Sequence, residues 1–354
     1  MRVRRIVVLP GDGIGPEVVS AGLEVLSAVT VTFGLEFALQ HCLVGAAAVH
    51  ATGDPLPPET RAAVTGADAV LLGAVGDPSL DAAPRHQKPE TGLLALRTLL
   101  GVYANLRPVV IHPPLANRSP LKPELLTHTD LLIVRELTGG LYYGEPRGND
   151  GVNAVNTLRY SREEISRVAR VAFTSARGRR KKVLSVDKAN VLETSQLWRA
   201  VVTEVAQAYP DVALEHIYVD YAAMRLVSDP RSIDVLLTEN LFGDILSDEA
   251  AVLVGSLGLL PSASLGDGAG LFEPIHGSAP PLAGKDVANP IGTIASVAML
   301  LRHGLGEAAA AAAIDRAVTE VIAAGWRTQD IADPGESVVG TRRMTRQIVR
   351  LIRR

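Results

Sequence analysis

A chain of 354 residues, 47% apolar and 21% charged, has the apolar surface to bury about two ordinary domains, so disorder is excluded as its overall state. Its 35 Lys and Arg against 38 Asp and Glu leave a net charge of −3, without the basic field that nucleic acid attracts. The one cysteine, Cys42, excludes an intramolecular disulfide, a cysteine-rich zinc site and a CxxC redox motif, and a reducing, cytoplasmic setting is expected.

The basic N-terminus, residues 1–5, precedes an apolar run of residues 6–9 only, too short for a signal peptide. The most apolar later windows, residues 250–260 and 291–301, hold about eleven residues each, too few to span a bilayer. No membrane partner is expected. Residues 3–9 read as a buried β-branched strand, stopped by a glycine-rich turn and followed by a helix starting near Pro16. Further strands are predicted at residues 69–72, 131–134, 182–186, 213–219 and 233–237. A helix over 161–177 carries Ile165, Val168, Val171 and Ala172 on one face and opens on a Ser161–Glu164 capping box. This alternation predicts an α/β fold with a largely parallel sheet. The polar, Gly- and Asn-rich text from about residue 143 to 160 predicts a projecting arm, and the basic run 177–182 a solvated helix end. The alanine run 308–313 reads as part of a packed helix continuing through Val318 and Ile322, and Cys42 as a small buried apolar side chain.

Gly11, Gly13 and Gly15 follow the first strand, but the third glycine comes one residue too early for a dinucleotide fingerprint. The spacing supports a tight strand-to-helix turn and no more. Asp244 and Asp248, four apart in NLFGDILSD, would share a helix face, where like charges repel unless a cation offsets them. Oxygen ligands suit Mg²⁺ or Mn²⁺, and the apolar neighbours Leu241, Phe242, Ile245 and Leu246 argue for a buried helix; an acidic solvated face is the alternative. Arg97, Arg107 and Arg135 would match a substrate with two carboxylates, although each alone reads as a surface arginine. Lys188, just past a strand, would be a base if cations nearby lower its pKa, and Tyr142 a proton donor.

Taken together, the chain resembles the isocitrate/isopropylmalate family of metal-dependent β-decarboxylating dehydrogenases along essentially its whole length. The resemblance rests on residues 9–18 (LPGDGIGPEV), 90–97 (ETGLLALR), 105–108 (NLRP), 135–148 (RELTGGLYYGEPRG), 186–193 (VDKANVLE), 218–220, 240–248 (NLFGDILSD), 272–280 (FEPIHGSAP) and 288–290 (ANP). It implies a two-domain α/β architecture around a long mixed sheet, not a Rossmann fold. Residues 1–102 with 255–354 would form the cofactor-side domain, and 103–254 the dimerisation and metal-site domain.

The same resemblance implies site roles. Asp244 and Asp248 would bind Mg²⁺ or Mn²⁺, with Asp220 and Lys188 reaching in from the second subunit of a homodimer. Arg97, Arg107 and Arg135 would hold the substrate carboxylates, and Asp220 would also border the substrate. Lys188 would take the proton of its 2-hydroxyl as hydride leaves for NAD, and Tyr142 would protonate the carbon left after CO₂ departs. Leu93 and Leu94, with Asn190 and Val191, would wall the alkyl group. Ile14, Glu90, His276, Gly277, Ser278, Ala279, Pro280, Pro281, Leu282 and Asn289 would bind NAD.

The implied reaction is oxidative decarboxylation of (2R,3S)-3-isopropylmalate to 4-methyl-2-oxopentanoate, in leucine biosynthesis. Isocitrate would bury an unpaired carboxylate against Leu93 and Leu94 and should be rejected. The family's NAD users carry an aspartate where this chain has Pro281, so NAD is expected with weaker discrimination against NADP. Alternatives are the same chemistry on a related 3-alkylmalate, tartrate, malate or homoisocitrate, and a non-catalytic regulatory relative. Phosphoryl transfer is excluded, because no Gly-Lys-Ser/Thr follows the glycine turn.

Overall fold

Strand β1 (Arg4–Gly11) holds Ile6, Val7, Val8 and Leu9 at 0% exposure, which is why the run is continuously apolar rather than alternating. The computed structural model describes residues 3–354. After β1 come α1 (Gly15–Phe33), β2 (Phe37–His41), α2 (Gly45–Thr52), α3 (Pro58–Thr65), β3 (Ala69–Ala74) and α4 (Pro89–Leu100). Strand β4 (Val102–Val110) leads on to α5 (Pro123–Leu126), β5 (Asp130–Glu136), β6 (Gly148–Asn149), β7 (Ala154–Val155), α6 (Arg162–Arg177) and β8 (Lys182–Asp187). Then follow α7 (Glu193–Ala206), β9 (Ala213–Tyr218), α8 (Val219–Ser228), β10 (Val235–Thr238) and α9 (Asn240–Val252). The chain ends with β11 (Pro261–Gly266), β12 (Gly270–Pro274), α10 (Ile291–Met299), α11 (Ala308–Ala323) and α12 (Thr341–Ile352).

Two units divide this path. One comprises the described residues up to Val102 together with Ser256–Arg354, the other Tyr103–Gly255. In the first, the strand order is β2-β1-β3-β12-β11, parallel except for β11 against β12. In the second it is β4-β5-β10-β8-β9, parallel except for β4 against β5. The fold is thus α/β with sheet strands of mixed direction. The antiparallel members belong to β4, β11 and β12, none of which the strand pattern in the sequence had marked.

Helix α1 is long and apolar enough to cross a membrane by length and composition alone, a stretch the sequence windows passed over. It is a core helix of the first unit: Val18, Val25 and Val29 are fully buried, and it packs on β3, α10 and α12. In the second unit, α6 opens on the expected capping box. Ser161 Oγ accepts from Glu164 N–H at 3.2 Å, and Glu164 accepts from Ser161 N–H at 2.7 Å. The basic run after it is not merely solvated. Arg179 bonds Asp130 at 2.8 Å and the buried Asp234 at 2.9 Å, bracing the first residue of β5 and the residue before β10. Residues 148–155 form a small exposed hairpin, β6 with β7, tipped by Val152 at 89% exposure. Cys42 is only half-buried, just past the edge strand β2, and burial pushes its thiol up.

Candidate active site

In the second unit β5 ends on Arg135 and Glu136, and β10 passes the chain to α9 through Glu239. The Glu239 carboxylate caps α9, accepting from the backbone N–H of Phe242 at 2.7 Å and of Leu241 at 3.2 Å. The helix then presents Asp244 and Asp248 one turn apart on a single face. It is half-buried rather than buried. Leu246 is 1% exposed but Ile245 is 59% exposed, because the core stripe is narrow: Gly243, Leu246, Ser247 and Ala250. Gly243 is required there, since a Cβ would lie 2.6 Å from Cγ of Arg135.

Neither of the two arginines expected at the site in this unit lies at the surface: Arg135 is 2% exposed and Arg107 8%. Arg135 Nε and Nη2 both donate to Asn240 Oδ1, at 3.1 and 2.7 Å, and Nη1 donates to Asp244. Asn240 in turn donates to the carbonyls of Leu137 and Gly139, both at 3.1 Å. Arg107 Nε donates to Asn105 Oδ1 at 2.8 Å, and its Nη1 stands 3.5 Å from Asp248 Oδ1. Two fixed cations therefore offset the two carboxylates. Burial opposes ionisation of Asp244, but Arg135, Tyr142 and Arg107 outweigh it and hold the carboxyl below its usual range.

Tyr142, on the short turn Gly140–Tyr142 after β5, donates its hydroxyl to Asp244 Oδ2 at 2.8 Å. Burial, with the Asp244 carboxylate behind it, pushes this hydroxyl up to about 12, so it keeps its proton at neutral pH.

Lys188 and Asp220 form a separate pair, Nζ donating to Oδ1. Within this chain the ion-pair partner of Lys188 is Asp220, whose carboxyl the contact holds low. Lys188 is set at the end of β8 by its N–H bond to Ser195 Oγ, 3.0 Å, beside a buried Asp187 clamped by Arg199 through two 2.9 Å bonds. Asn190 and Val191 follow in an exposed turn, Val191 at 62%. Among the described residues, no three His, Cys, Asp or Glu side chains converge on one metal position.

In the first unit, Arg97 on α4 is mostly buried. Its Nη2 bonds Glu273 Oε1 at 3.0 Å, while its buried Nε has no partner. Leu93 and Leu94, half-buried, lie one turn earlier on the same helix, and Glu90 is exposed in its first turn. A cavity of about 520 Å³ in this unit is walled by Ile14, Ala279, Leu282, Val287 and Ala288, with His276, Lys285, Asn289 and Asp330 as polar groups. Ser278 ties its loop to the β1–α1 turn: the Ser278 carbonyl accepts from Ile14 N–H at 2.7 Å, so close that a Cβ on Gly13 would meet it at 2.0 Å. The glycines of that turn serve a backbone–backbone approach. Gly277, Pro280 and Pro281 are exposed in the same loop. His276 is kept neutral by burial, and its Nδ1 faces the Gly277 carbonyl at 2.9 Å, leaving a buried Nε2 without a partner. Asp330 is held by Asn289 at 3.0 Å, by Thr328 at 2.6 Å and by Ser256.

Reading the sequence missed the residues that support these groups. Glu136, Glu239, Asn240 and Asp187 flank apolar strand text, where a polar side chain must be partnered, and that signal was available. Tyr160 and Arg199 carry none.

The family described as isocitrate/isopropylmalate dehydrogenase matches residues 5–348. The chain is 55% identical over 355 residues to a 3-isopropylmalate dehydrogenase of Synechococcus sp. (strain JA-3-3Ab), covering 99% of this chain and 93% of that protein. It is 55% identical over 349 residues to one from Geobacillus kaustophilus (strain HTA426), covering 97% and 94%. Among solved structures, the isocitrate dehydrogenase of Methylococcus capsulatus is similar with a TM-score of 0.88 at 38% identity, covering 99% of this chain and all of that one.

Proposed function

Because this chain belongs to the isocitrate/isopropylmalate dehydrogenase family, we propose that it oxidatively decarboxylates (2R,3S)-3-isopropylmalate to 4-methyl-2-oxopentanoate with reduction of NAD, a step of leucine biosynthesis. The carrying observation is near-full-length identity of 55% to relatives named for that substrate, against 38% to the structure named for isocitrate. Leu93 and Leu94 agree with it, offering alkyl contact one turn from Arg97 and no hydroxyl for a third carboxylate.

The residues present fit both groups the reaction needs. Asp244 and Asp248 are hard oxygen donors on one helix face, of the kind Mg²⁺ or Mn²⁺ requires, with Arg135 and Arg107 holding the Asp244 carboxyl low. The apolar-walled cavity, with the orphaned His276 Nε2 and with Asn289, suits the adenosine half of NAD. A bound cation would acidify the 2-hydroxyl and stabilise the negative charge left on the C2 oxygen when CO₂ departs, and a bound NAD would supply the hydride acceptor. In the second unit Arg107 and Arg135 hold substrate carboxylate as forked donors, and Arg97 is a forked donor of the same kind in the first. Lys188 Nζ takes the 2-hydroxyl proton, and Tyr142 Oη, kept protonated by its surroundings, delivers one to C3.

Lys188 and Asp220 reach that chemistry in a second copy of the chain. An exposed apolar face on α8 and α9 supports a homodimer: Tyr221, Met224, Val227, Ile245 and Val252 are 43–64% exposed on two helices that pack together. Reduction of NAD and NADP by the purified protein with Mn²⁺ tests the reading, on 3-isopropylmalate beside isocitrate, homoisocitrate, tartrate and malate. Preference for isopropylmalate is the expected outcome; comparable isocitrate turnover would overturn it.

A further inference from the structure

Behind the Arg135–Asp244 pair lies a buried group that the reaction does not consume. Tyr160 Oη stands 3.1 Å from Glu136 Oε2 and 3.2 Å from Glu239 Oε2, and accepts from Asn240 N–H at 3.0 Å. All three acidic side chains are buried: Glu136 at 0%, Glu239 at 6% and Tyr160 at 7% exposure.

Counting hydrogens decides its state. A phenol donates one proton and accepts at two lone pairs. If both carboxyls are ionised, Tyr160 satisfies one, and the other turns an acceptor toward the phenol oxygen at hydrogen-bond distance, unscreened by water. If one carboxyl is protonated, it donates to the phenol, the phenol donates to the other carboxylate, and Asn240 N–H fills the remaining lone pair. Every atom then has its partner. The other contacts tolerate this. Glu136 accepts from Thr138 and Gly139 N–H, both at 2.9 Å, and Glu239 from Phe242 and Leu241 N–H. The nearby charges are Arg167, on α6, toward Glu136 and Arg135, on β5, toward Glu239.

We propose that Glu136, Tyr160 and Glu239 share a single carboxyl proton, and that this closed chain positions Arg135 by holding Asn240 and the first turn of α9. Burial acts in the same direction, raising both carboxyls above their usual range and keeping the phenol protonated. Asn240 is the hinge: its N–H ends on Tyr160, while its Oδ1 receives two hydrogen bonds from Arg135. Tyr160 and the two glutamates are positioning residues, since none is expected to touch substrate. The kinetic part of this inference rests on the reading that Arg135 holds a substrate carboxylate.

Infrared spectra of the whole, substrate-free enzyme at about pH 7 test the shared proton. The protonated-carboxyl stretch, shifted by D₂O, should be present in the wild type and absent from both Glu136→Gln and Glu239→Gln. Its absence from the wild type, or its survival in both variants, overturns the proposal. For positioning, Tyr160→Phe should raise KM for 3-isopropylmalate about tenfold while kcat changes by less than about threefold. A variant that merely lost folded enzyme would lower kcat at constant KM, and that result overturns the positioning role. If Tyr160→Phe does not fold, Glu239→Gln is read for the same split. A wild type that shows the band but ignores isopropylmalate would defeat the substrate reading and leave the shared proton standing.

Discussion

Tyr142 and Asp244 are joined by a 2.8 Å hydrogen bond, which places a phenol that keeps its proton against one of the two carboxylates on α9. Tyr142→Phe removes only that hydroxyl. Turnover should fall about 10²- to 10⁴-fold, the usual worth of a general acid, with the thermal midpoint changed by no more than a few degrees. Steady-state rates beside thermal melts check this, and near-wild-type kcat would remove Tyr142 from proton transfer.

The separation of Lys188 and Asp220 from Tyr142, Asp244 and Asp248 makes a mixing experiment decisive. Lys188→Ala and Tyr142→Phe should each be inactive alone. Co-refolded in equal amounts, they should recover about a quarter of wild-type activity, since half the dimers are mixed and one of their two sites is intact. No recovery from dimeric protein would mean that each copy completes its own site.

Pro281 and Lys285 set the expected cofactor preference. Lys285 is exposed at the mouth of the His276 cavity, and Pro281 places no charge in its loop. Wild type should prefer NAD over NADP by less than about a hundredfold. Pro281→Asp should widen that ratio about tenfold or more by repelling a 2′-phosphate, and Lys285→Ala should lower NADP efficiency first. The ratio of kcat/KM for the two cofactors reports both.

His276 gives the pH dependence its sign. Burial lowers its pKa in the folded protein, so the unfolded chain binds more protons as pH falls below about 6.5. The stabilisation it contributes is therefore complete above that value and is lost as pH drops toward the folded pKa. NADH affinity of the folded enzyme, followed by fluorescence, should weaken only once pH falls to the folded pKa itself, and His276→Asn should flatten the curve even though it binds less tightly.

Arg179 should matter to stability alone. Its 2.9 Å bond to Asp234 satisfies a carboxylate that is 1% exposed. Arg179→Met leaves that carboxylate only the Lys182 N–H at 3.1 Å and Arg180 at 3.8 Å, and should cost about 1–3 kcal/mol in urea unfolding, with KM unchanged.

Much of this architecture was legible in the residues. Apart from β2 and β12, the strands that pair in parallel announced themselves as apolar runs, the capping box at Ser161 fell where expected, and Asp244 with Asp248 showed its helical spacing. What escaped was whatever depends on partners distant in sequence. Strands β11 and β12 contain Pro, Ser and Gly, and pair antiparallel for reasons of topology rather than pattern. Arg135 and Arg107 read as surface arginines because burial of a guanidinium becomes affordable only with partners such as Asn240 and Ser247, which lie more than a hundred residues away from them in sequence. Ile245 read as core because an apolar letter does not say which way it faces.

The contact between Gly13 and Ser278 bears on how such an enzyme can change. Residues 265 positions apart meet chiefly through the Ser278 carbonyl, which no side-chain exchange can move out of the way of a Cβ at position 13. Drift in the 276–285 loop is thereby channelled to positions such as 281 and 285, which are exposed. Lineages or engineers altering nicotinamide preference would find those two sites permissive, while any mutation at residue 13 would be purged whatever the cofactor.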